Sequence, residues 1–472
     1  MQRARQAVFG KALLWVMLAT SVLASCGGGG GSPPGQSQNT APPVTLQSIS
    51  VTPTPDTPSP FTGGVGFGRQ MVATGTYSNG TTADLTSIAV WSSSSTSIAT
   101  VSAGVVSGVA LGTATITATY AGVVGSGSIT ITSGSWALSL NFAYQGENLA
   151  LTGPTATVLA DGNVLVRGDD RSALGPFASG EYSFLPDSWI SAGELVEERG
   201  GHTATLLENG KVLVTGGTLD INPLVSCELY DPASKTWSAA ASLPQGREQH
   251  AAVLLTDGRV LVVGGTTEGV LIPDADVYDP TTNTWSDAGA MLNPSMYPTA
   301  TLLANGTVFV MDGDVAGTTE IYDPTTNGWS AGPTAGNAHQ FGATATTLTD
   351  GRILIVGGTV GALINPITLA YPEIYDPVAG TWSAAGTMTQ KRVEHIAVRL
   401  PNGTVLVAGG VTQNGLSGAI SSAEIYDPGT NTWTATGSLN FPSAGGAAVL
   451  LPGGQVFMVD GPQGSAAAEL YW

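Results

Sequence analysis

From about residue 136 to residue 472, short apolar runs return at nearly constant spacing along the chain. The run Val212-Leu213-Val214 follows the dipeptide Asn209-Gly210, and a similar apolar run follows Asp257-Gly258. Asn-Gly and Asp-Gly tolerate positive φ at both central positions of a tight turn, so each dipeptide is predicted to join two antiparallel strands. Because the runs are apolar at consecutive positions, they indicate strands that are buried on both faces.

The hairpin dipeptide occurs seven times in this region, and its second residue is always glycine. Successive glycines are 48, 48, 48, 45, 52 and 51 residues apart, which is the spacing of one four-stranded sheet per repeat. Six of the repeats also carry a tyrosine seven residues before a tryptophan, as at Tyr230 and Trp237. The seven glycines are Gly162, Gly210, Gly258, Gly306, Gly351, Gly403 and Gly454.

Paired glycines after the apolar runs, the tripeptide YDP and the spaced tyrosine and tryptophan resemble kelch repeats over residues 136–472. The resemblance implies a seven-bladed kelch-type β-propeller. The last repeat ends after its third strand, at Glu469-Leu470-Tyr471-Trp472, whereas Trp136-Ala137-Leu138-Ser139-Leu140 matches a fourth strand. We therefore predict that this earlier segment completes the seventh blade and closes the ring without free sheet edges.

Residues 44–132 show a different pattern, rich in Thr, Ser, Val and Ile. Residues 113–120 alternate threonine with Ala, Ile, Ala and Tyr, which indicates a strand with one buried face. The phrases ATGTYSNGTTADLT, VWSSSSTSIATVS and GVVSGVALGTATITATY resemble the bacterial immunoglobulin-like domain of group 2. The resemblance implies a β-sandwich that acts as a spacer, with adhesion as the alternative. The fold class predicted for the chain is therefore all-β.

The first residues have the organisation of a targeting signal. Residues 1–25 combine basic side chains, among them Arg3 and Arg5, with an apolar run too short for a stable membrane span. They lead into Leu23-Ala24-Ser25-Cys26, which resembles the lipobox of bacterial lipoproteins. The resemblance implies that Cys26 carries the lipid and that the protein is anchored at the outer membrane or cell surface. Residues 26–43, rich in Gly, Pro and Ser, are predicted to form a flexible tether.

Charge and cysteine content narrow the range of partners. The formal net charge is -19, from 34 acidic and 15 basic residues, and such a surface repels nucleic acid. Cys26 and Cys227 are the only cysteines of the sequence, which excludes a framework of disulfides. We predict a monomer that meets the membrane through its lipid and binds a protein or glycan ligand, without a cofactor.

Three histidines recur at one position of the repeat, eight residues before the hairpin glycine, and each follows an arginine by three residues. In a kelch-like blade this position starts the innermost strand, near one mouth of the central channel. One hypothesis is that these residues are structural and hydrogen-bond one blade to the next. The other is that they form a ligand-binding rim. The predicted rim consists of Arg199, His202, Arg247, His250, Tyr297, His339, Arg392 and His395, with Glu198, Glu248 and Glu394 beside them.

A second resemblance supplies an enzymatic alternative. Galactose oxidase and glyoxal oxidases are secreted seven-bladed kelch-type propellers that hold copper with two tyrosines and two histidines and form a radical on a tyrosine cross-linked to cysteine. Here Cys227 aligns with Ala423, a packing position of the third strand, and Cys26 is assigned to the lipid. No cysteine is then left for the cross-link, although His339 and Tyr297 remain candidate metal ligands.

Two acidic stretches, Asp169-Asp170 and Asp312-Gly313-Asp314, are candidates for calcium binding. They lack the ligand spacing of a recognised calcium loop, and solvated turn carboxylates explain them as well. The sequence shows neither a Ser-His-Asp elbow nor a His-Glu-x-x-His motif. We predict a surface-anchored binding scaffold with no catalytic and no metal-binding residue. A copper radical oxidase acting on carbohydrates or alcohols, and a purely structural envelope component, are the alternatives.

Overall fold

The structure, a computed structural model, describes residues 43–53, 61–63, 68–138, 151–170, 179–183, 188–193, 196–219, 221–312, 316–361, 367–412, 418–460 and 468–472. Every helix or strand assigned within these ranges is a β-strand. The predicted signal peptide, Cys26 and nearly all of the predicted tether lie outside the described residues. Within the described ranges, no helix has the length and apolarity needed to cross a bilayer.

The first nine strands are β1 (Leu46–Pro53), β2 (Phe61–Gly63), β3 (Gly68–Tyr77), β4 (Thr82–Asp84), β5 (Val90–Ser93), β6 (Ala99–Ser102), β7 (Val105–Gly108), β8 (Gly112–Tyr120) and β9 (Val123–Ile131). They form two sheets, of order β1-β3-β7-β6 with β4 paired to β3, and of order β2-β9-β8-β5. The alternation predicted for β8 is confirmed, because Ala114, Ile116 and Ala118 are buried whereas Thr113 and Thr115 are exposed. The buried side chains of both sheets share one apolar core.

Seven four-stranded antiparallel sheets, the blades, follow the sandwich. The strand β10 (Trp136–Leu138) comes first, and blade 1 consists of β11 (Leu151–Val158), β12 (Val164–Asp170), β13 (Ser179–Ser183) and β14 (Ser188–Ser191). Blade 2 contains β15 (Thr203–Leu206), β16 (Val212–Thr215), β19 (Cys227–Asp231) and β20 (Thr236–Ala240), with a small hairpin of β17 (Thr218–Leu219) and β18 (Asn222–Pro223).

Blade 3 repeats this plan with β21 (Ala251–Leu254), β22 (Val260–Val263), β25 (Asp274–Asp279) and β26 (Thr284–Ala290), and its small hairpin is β23 (Thr266–Thr267) with β24 (Val270–Leu271). Blade 4 consists of β27 (Thr299–Leu302), β28 (Val308–Met311), β29 (Thr319–Asp323) and β30 (Gly328–Ala331). Blade 5 contains β31 (Ala343–Thr347), β32 (Ile353–Gly357), β35 (Glu373–Asp376) and β36 (Thr381–Ala384), with the hairpin of β33 (Thr359–Val360) and β34 (Ile367–Thr368).

The ring closes as the sequence predicts. Blade 6 consists of β37 (Ile396–Arg399), β38 (Val405–Ala408), β39 (Ala423–Asp427) and β40 (Thr432–Thr436), and blade 7 of β41 (Ala447–Leu450), β42 (Val456–Val459) and β43 (Ala468–Tyr471) with β10. Trp136 pairs with Tyr471, and Leu138 with Glu469, so β10 is the fourth strand of the last blade. Each innermost strand contacts the next, and β41 contacts β11. The protein is a seven-bladed propeller preceded by an Ig-like sandwich.

Aromatic pairs hold the outer parts of the blades together. In six blades the tyrosine of the third strand packs on the tryptophan of the fourth, with ring centroids 5.0–5.2 Å apart. In blades 2 to 6 the tryptophan ring nitrogen also donates to a carbonyl of the preceding blade, as Trp237 does to Ala192 at 2.9 Å. The pair therefore joins neighbouring blades by packing and by a directional bond.

The strand order assigns the loops to two opposite faces. The connections between second and third strands and those between successive blades share one end of each blade, since antiparallel strands reverse direction at every turn. We call this end the mouth face. An isolated bridge between Gly200 and Thr218 joins the two kinds of loop in blade 2. All eight predicted rim residues lie in loops of the mouth face or at the start of an inner strand.

Candidate functional site

The three predicted arginines lie inside the protein and not on an open rim. Arg199 is fully buried; its Nη1 donates to the carbonyls of Gly216 (2.8 Å) and Ser226 (2.7 Å), and its Nη2 to Glu228 Oε1 (2.8 Å). Gly216 follows the second strand of the same blade, Ser226 precedes the third strand, and Glu228 lies on the third strand. The guanidinium thus ties the loop that enters a blade to the two strands behind it.

Arg247 and Arg392 repeat this arrangement. Arg247 Nη2 donates to Asp276 Oδ2 at 2.6 Å, and Arg392 Nη2 donates to Glu424 Oε1 at 2.7 Å. Both guanidinium groups also donate to the carbonyl of the glycine after the second strand, namely Gly264 or Gly409. All three arginines are thus engaged in internal contacts, and direct contact of any of them with a ligand stays a prediction.

The three repeated histidines connect one blade to the previous one. The Nε2 atoms of His202, His250 and His395 lie 3.0, 3.0 and 2.9 Å from threonine hydroxyls of the preceding blade. All three rings are buried. Burial lowers the pKa of His250 and of His395 to about 3, and the neighbouring arginine adds to the effect. The rings are therefore neutral at physiological pH, which suits the hydrogen bond to a hydroxyl.

His339 takes the place of the arginine in blade 5. Its Nδ1 lies 2.8 Å from the carbonyl of Gly357 and its Nε2 lies 3.1 Å from Glu373 Oε2. A carbonyl and a carboxylate only accept hydrogen bonds, so both ring nitrogens are placed to donate. Burial raises the pKa of Glu373, but the bonds from His339 and the Asn337 amide outweigh burial and lower it overall.

A ring of left-handed residues surrounds the mouth, nine positions before the hairpin glycine of each blade. Their φ angles lie between 56° and 70°. In four blades the residue is glycine, but in blades 3, 4 and 6 it is Gln249, Tyr297 and Glu394. The ring consists of Gly153, Gly201, Gln249, Tyr297, Gly342, Glu394 and Gly445. Because left-handed backbone costs a side-chain-bearing residue about 1 kcal/mol or more, these three side chains are retained against local strain.

Backbone hydrogen bonds link this ring from blade to blade. The Tyr297 amide donates to the Gln249 carbonyl at 3.0 Å, and the Glu394 amide donates to the Gly342 carbonyl at 3.0 Å. The Gly445 amide continues the series to the Glu394 carbonyl at 2.9 Å. The backbone of the mouth is therefore preorganised, and the three long side chains are held on a rigid support.

The side chains of the mouth form an aromatic and acidic group. Tyr297 packs edge-on against Phe341 of the next blade, with ring centroids 4.6 Å apart. Burial raises the pKa of Tyr297 to about 12, and the carboxylates of Glu394 and Glu248 add to that shift. Burial also raises the pKa of both Glu248 and Glu394. Residues from blades 3, 4, 5 and 6 thus converge on one side of the mouth.

Gln249, whose backbone lies in the ring, and Phe341, which packs on Tyr297, were not among the predicted site residues. The sequence held a signal for Gln249, since the same repeat position is glycine in blades 2 and 7. Phe341 had no such signal, because His339 stands twelve residues before the hairpin glycine Gly351, whereas Arg247 stands eleven before Gly258. Only the folded loop brings its ring to Tyr297.

Among the described residues, Cys227 and the four histidines do not come together as a copper site of the galactose oxidase kind. Cys227 lies in the apolar core between blades 2 and 3, where burial raises the pKa of its thiol to about 11. His339 is engaged with Gly357 and Glu373, and the other three histidines with threonines. Within the described ranges, no group of three or more His, Cys, Asp or Glu side chains is arranged to hold a metal ion.

Protein-family models match most of the described chain. The model "Bacterial Ig-like domain (group 2)" matches residues 47–133, and "KLHDC2/KLHL20/DRC7 Kelch-repeats domain" matches residues 187–358. The model "Kelch motif" matches residues 342–389 and 395–440. These matches confirm the order of the two domain types that the sequence predicts.

Curated relatives match only in part. An F-box/kelch-repeat protein of Arabidopsis thaliana is 36% identical over 98 residues, which are 20% of this chain and 25% of the relative. Ice-binding protein 1 of Shewanella frigidimarina (strain NCIMB 400) is 34% identical over 164 residues, 32% of this chain and 16% of that protein. The chain therefore spans a quarter or less of the length of these relatives.

Among solved structures, a fungal alcohol oxidase of the AA5 family in complex with copper is similar in fold. The TM-score is 0.60 at 18% sequence identity, and the match covers 72% of this chain and 76% of the oxidase. At that identity the likeness concerns the propeller fold.

Proposed function

Because the chain carries a bacterial Ig-like domain of group 2 followed by kelch repeats, we propose that it is a binding protein whose propeller mouth recognises a protein or glycan ligand. The observation that carries the proposal is the ring of left-handed residues. Four positions are glycine, whereas Gln249, Tyr297 and Glu394 keep long side chains at a conformational cost. Strain of this kind is concentrated at functional sites.

The chemistry of the mouth favours a ligand with a basic group. Glu248 and Glu394 are carboxylates whose charged forms are disfavoured by burial, so a cation bound between them would restore favourable electrostatics. The faces of Tyr297 and Phe341 also attract cations. A lysine or arginine side chain of a protein ligand has both properties, an apolar stem and a charged end.

Exposed apolar side chains around the mouth favour a protein over a glycan. The small hairpins of blades 2, 3 and 5 rise on the mouth face and carry Ile221, Val270 and Ile367, with 85%, 64% and 63% of their surfaces exposed. Aliphatic side chains pack well against other proteins, whereas sugars are bound mainly by aromatic rings and polar groups. The hairpins and the mouth residues lie on the same face of the propeller and combine apolar with polar side chains.

The experiment uses glycine as the replacement. An array of basic and neutral peptides and a glycan array are probed with the full chain and with Tyr297→Gly and Glu394→Gly. Glycine fits the left-handed backbone, so these variants keep the fold while removing the proposed contacts. We expect binding to basic peptides that both variants lose by tenfold or more. Ala103→Gly, at a left-handed position of the sandwich (φ 48°), is the matched control and should bind like the parent.

Unchanged binding by Tyr297→Gly and Glu394→Gly would remove the mouth as the site. Binding to glycans alone, lost in the same two variants, would keep the site and replace the ligand class. Binding to neither array would contradict the proposal.

The proposed location is the bacterial outer membrane or cell surface, through a lipid on Cys26. The support is the sequence Leu23-Ala24-Ser25-Cys26 and the Gly-rich residues that follow it. Metabolic labelling with a fatty-acid analogue in a bacterial host tests this, with Cys26→Ala as the unlabelled control. A parent chain that takes up no more label than Cys26→Ala would contradict it.

A further inference from the structure

The turn between the third and fourth strands follows one plan in blades 2 to 6. An aspartate comes directly after the tyrosine of the third strand, and its carboxylate accepts an amide two residues further on, as Asp231 does from Ala233 at 3.0 Å. A residue with left-handed backbone then stands two positions before the tryptophan of the fourth strand, with φ between 53° and 65°. The five aspartates are Asp231, Asp279, Asp323, Asp376 and Asp427, and the five left-handed residues are Lys235, Asn283, Asn327, Gly380 and Asn431. Each of these turns is therefore closed by its own side-chain cap.

Blade 7 forms this turn from two separate parts of the chain. Its third strand is β43 and its fourth strand is β10, so residues 132–135, which connect β9 of the sandwich with β10, take the place of the turn. Gly134 has a φ of 65°, stands two positions before Trp136 and donates its amide to the carbonyl of Trp472. The same bond is present at 2.8 Å in blades 2 and 5, from Lys235 to Asp231 and from Gly380 to Asp376. Trp472 therefore stands at the position of the turn aspartate.

Residues 132–135 are bonded to the propeller on both sides. The carbonyl of Gly134 accepts the amide of Gly437, which follows the fourth strand of blade 6, at 2.9 Å. The carbonyl of Ser135 accepts the amide of Trp472, in blade 7, at 3.4 Å. A Cβ added to Gly437 would clash with the Gly134 carbonyl oxygen, so this close approach requires glycine. The connection between the sandwich and the propeller is therefore held between two blades and is not a free hinge.

The connection supplies a bond between blades that the tryptophan of blade 7 does not make. In blades 2 to 6 the tryptophan of the fourth strand donates from its ring nitrogen to a carbonyl of the preceding blade. The ring nitrogen of Trp136 is buried, and it has no hydrogen-bond partner in the part of the chain that the structure describes. The bond from Gly437 to Gly134 therefore provides a directional contact between blades 6 and 7 in its place.

The side chain of Trp472 joins the sandwich to the propeller. It packs against the apolar core of the sandwich, which contains Ile116 and Ile129, and also against the cluster between blades 7 and 1, which contains Phe457 and Leu470. An aromatic side chain of this kind buries on the order of 150–250 Å² of surface. The aspartate of the other blades caps its own turn and is too short and too polar for such a contact. The tryptophan at this one position therefore provides a contact between the two domains where the other blades have a local cap.

We propose that the Ig-like sandwich is a lock on the closure of the ring, engaged through Trp472, so that the sandwich and the seventh blade open and close as one unit. No covalent turn joins β43 to β10, so their pairing depends on non-covalent contacts and has to close the whole propeller into a ring. Packing of Trp472 on the sandwich adds a contact that opening of the ring must break. A spacer joined by a free linker would leave the closure independent of the sandwich.

Hydrogen exchange of the full chain, followed by mass spectrometry, tests the proposal. Ile116→Ala removes a fully buried side chain from the sandwich core and should speed exchange in β9. We expect the same substitution to speed exchange in β10 and β43 as well, by about tenfold or more, because the lock is weakened. Trp472→Asp gives blade 7 the turn residue of the other blades. In this background Ile116→Ala should speed exchange in the sandwich alone.

Val90→Ala is the matched control, since it shortens a sandwich side chain that is 71% exposed and should leave exchange in β10 and β43 unchanged. The proposal is overturned if Ile116→Ala speeds exchange in β9 while β10 and β43 keep the rate of the parent. It is also overturned if Ile116→Ala still speeds exchange in β10 and β43 in the Trp472→Asp background. If Ile116→Ala does not fold, Ile116→Val provides the same comparison with a smaller increase. The mouth residues are not involved, so the outcome of the ligand test leaves this result unaffected.

Discussion

Arg392 and Glu394 stand two residues apart in one loop, yet they have opposite effects on the stability of the fold. Arg392 is fully buried and its guanidinium donates to Gly409, Ser422 and Glu424. Glu394 adopts a left-handed backbone, and its carboxyl faces the mouth, where burial raises its pKa. The first residue stabilises the loop and the second strains it. The comparison separates the residues that build the mouth from those that the finished mouth presents to a ligand.

The largest effect is expected from removing the buried base. Arg392→Ala leaves Glu424 with its two backbone donors but without a cation, which typically costs about 3–5 kcal/mol. Urea denaturation at neutral pH measures the free energy of unfolding of parent and variant. A loss below about 1 kcal/mol would show that the pair with Glu424 does not stabilise the blade.

The second-largest effect is expected from acid, which should lower the stability that the buried histidines contribute. His395 is neutral in the folded protein with a pKa of about 3, against an ordinary value of 6.5 in the unfolded chain. Its contribution is therefore complete above pH 6.5 and is lost as the pH falls toward 3, because the unfolded state binds the proton first. At pH 5 the loss is on the order of 2 kcal/mol.

His395→Gln isolates this effect from the titration of carboxylates. The free energy of unfolding of the parent should fall more steeply between pH 7 and pH 5 than that of the variant. Equal slopes would contradict the assignment of a neutral, buried ring.

Glycine at a strained position should raise stability by a smaller amount. Glu394→Gly removes the side chain from left-handed backbone, and we expect the free energy of unfolding to rise by about 1 kcal/mol. The reciprocal change is Gly201→Ala, where an added Cβ meets open space and only the φ of 62° opposes it. It should lower stability by a similar amount. A destabilised Glu394→Gly would mean that the carboxyl supports the fold.

The smallest effect is expected at a charge pair on the surface of the propeller. Arg352 Nε lies 2.7 Å from Asp350 Oδ2, but the two side chains are 33% and 49% exposed. Arg352→Ala should change the free energy of unfolding by about 0.5 kcal/mol or less, since water solvates both charges. A loss as large as that of Arg392→Ala would show that burial is not what distinguishes the two pairs.

Much of the architecture could be predicted from the sequence. The seven hairpin dipeptides and the tyrosine and tryptophan at fixed spacing predicted the number of blades, and Trp136 was correctly placed in the strand that closes the last one. These features are local or repeated, and repetition makes each of them visible several times. The alternation of residues 113–120 likewise predicted the buried face of β8.

The orientation of the repeated side chains could not be predicted in the same way. The recurrence of Arg199, Arg247 and Arg392 was compatible with an internal contact and also with a rim. Their carboxylate partners lie 29 to 32 residues further along, on the third strand. Only the register between second and third strands shows that a base and an acid meet there.

The sequence by itself determined the kind of fold, the count of blades and the way the ring closes, because hydrophobic spacing and turn residues act within one repeat. The tertiary structure alone decided which polar residues are internal and which surround the mouth. That distinction depends on partners in distant strands and in neighbouring blades. Burial makes an unpaired charge costly, so the buried bases and acids pair with each other. The strained residues lie at the channel entrance instead.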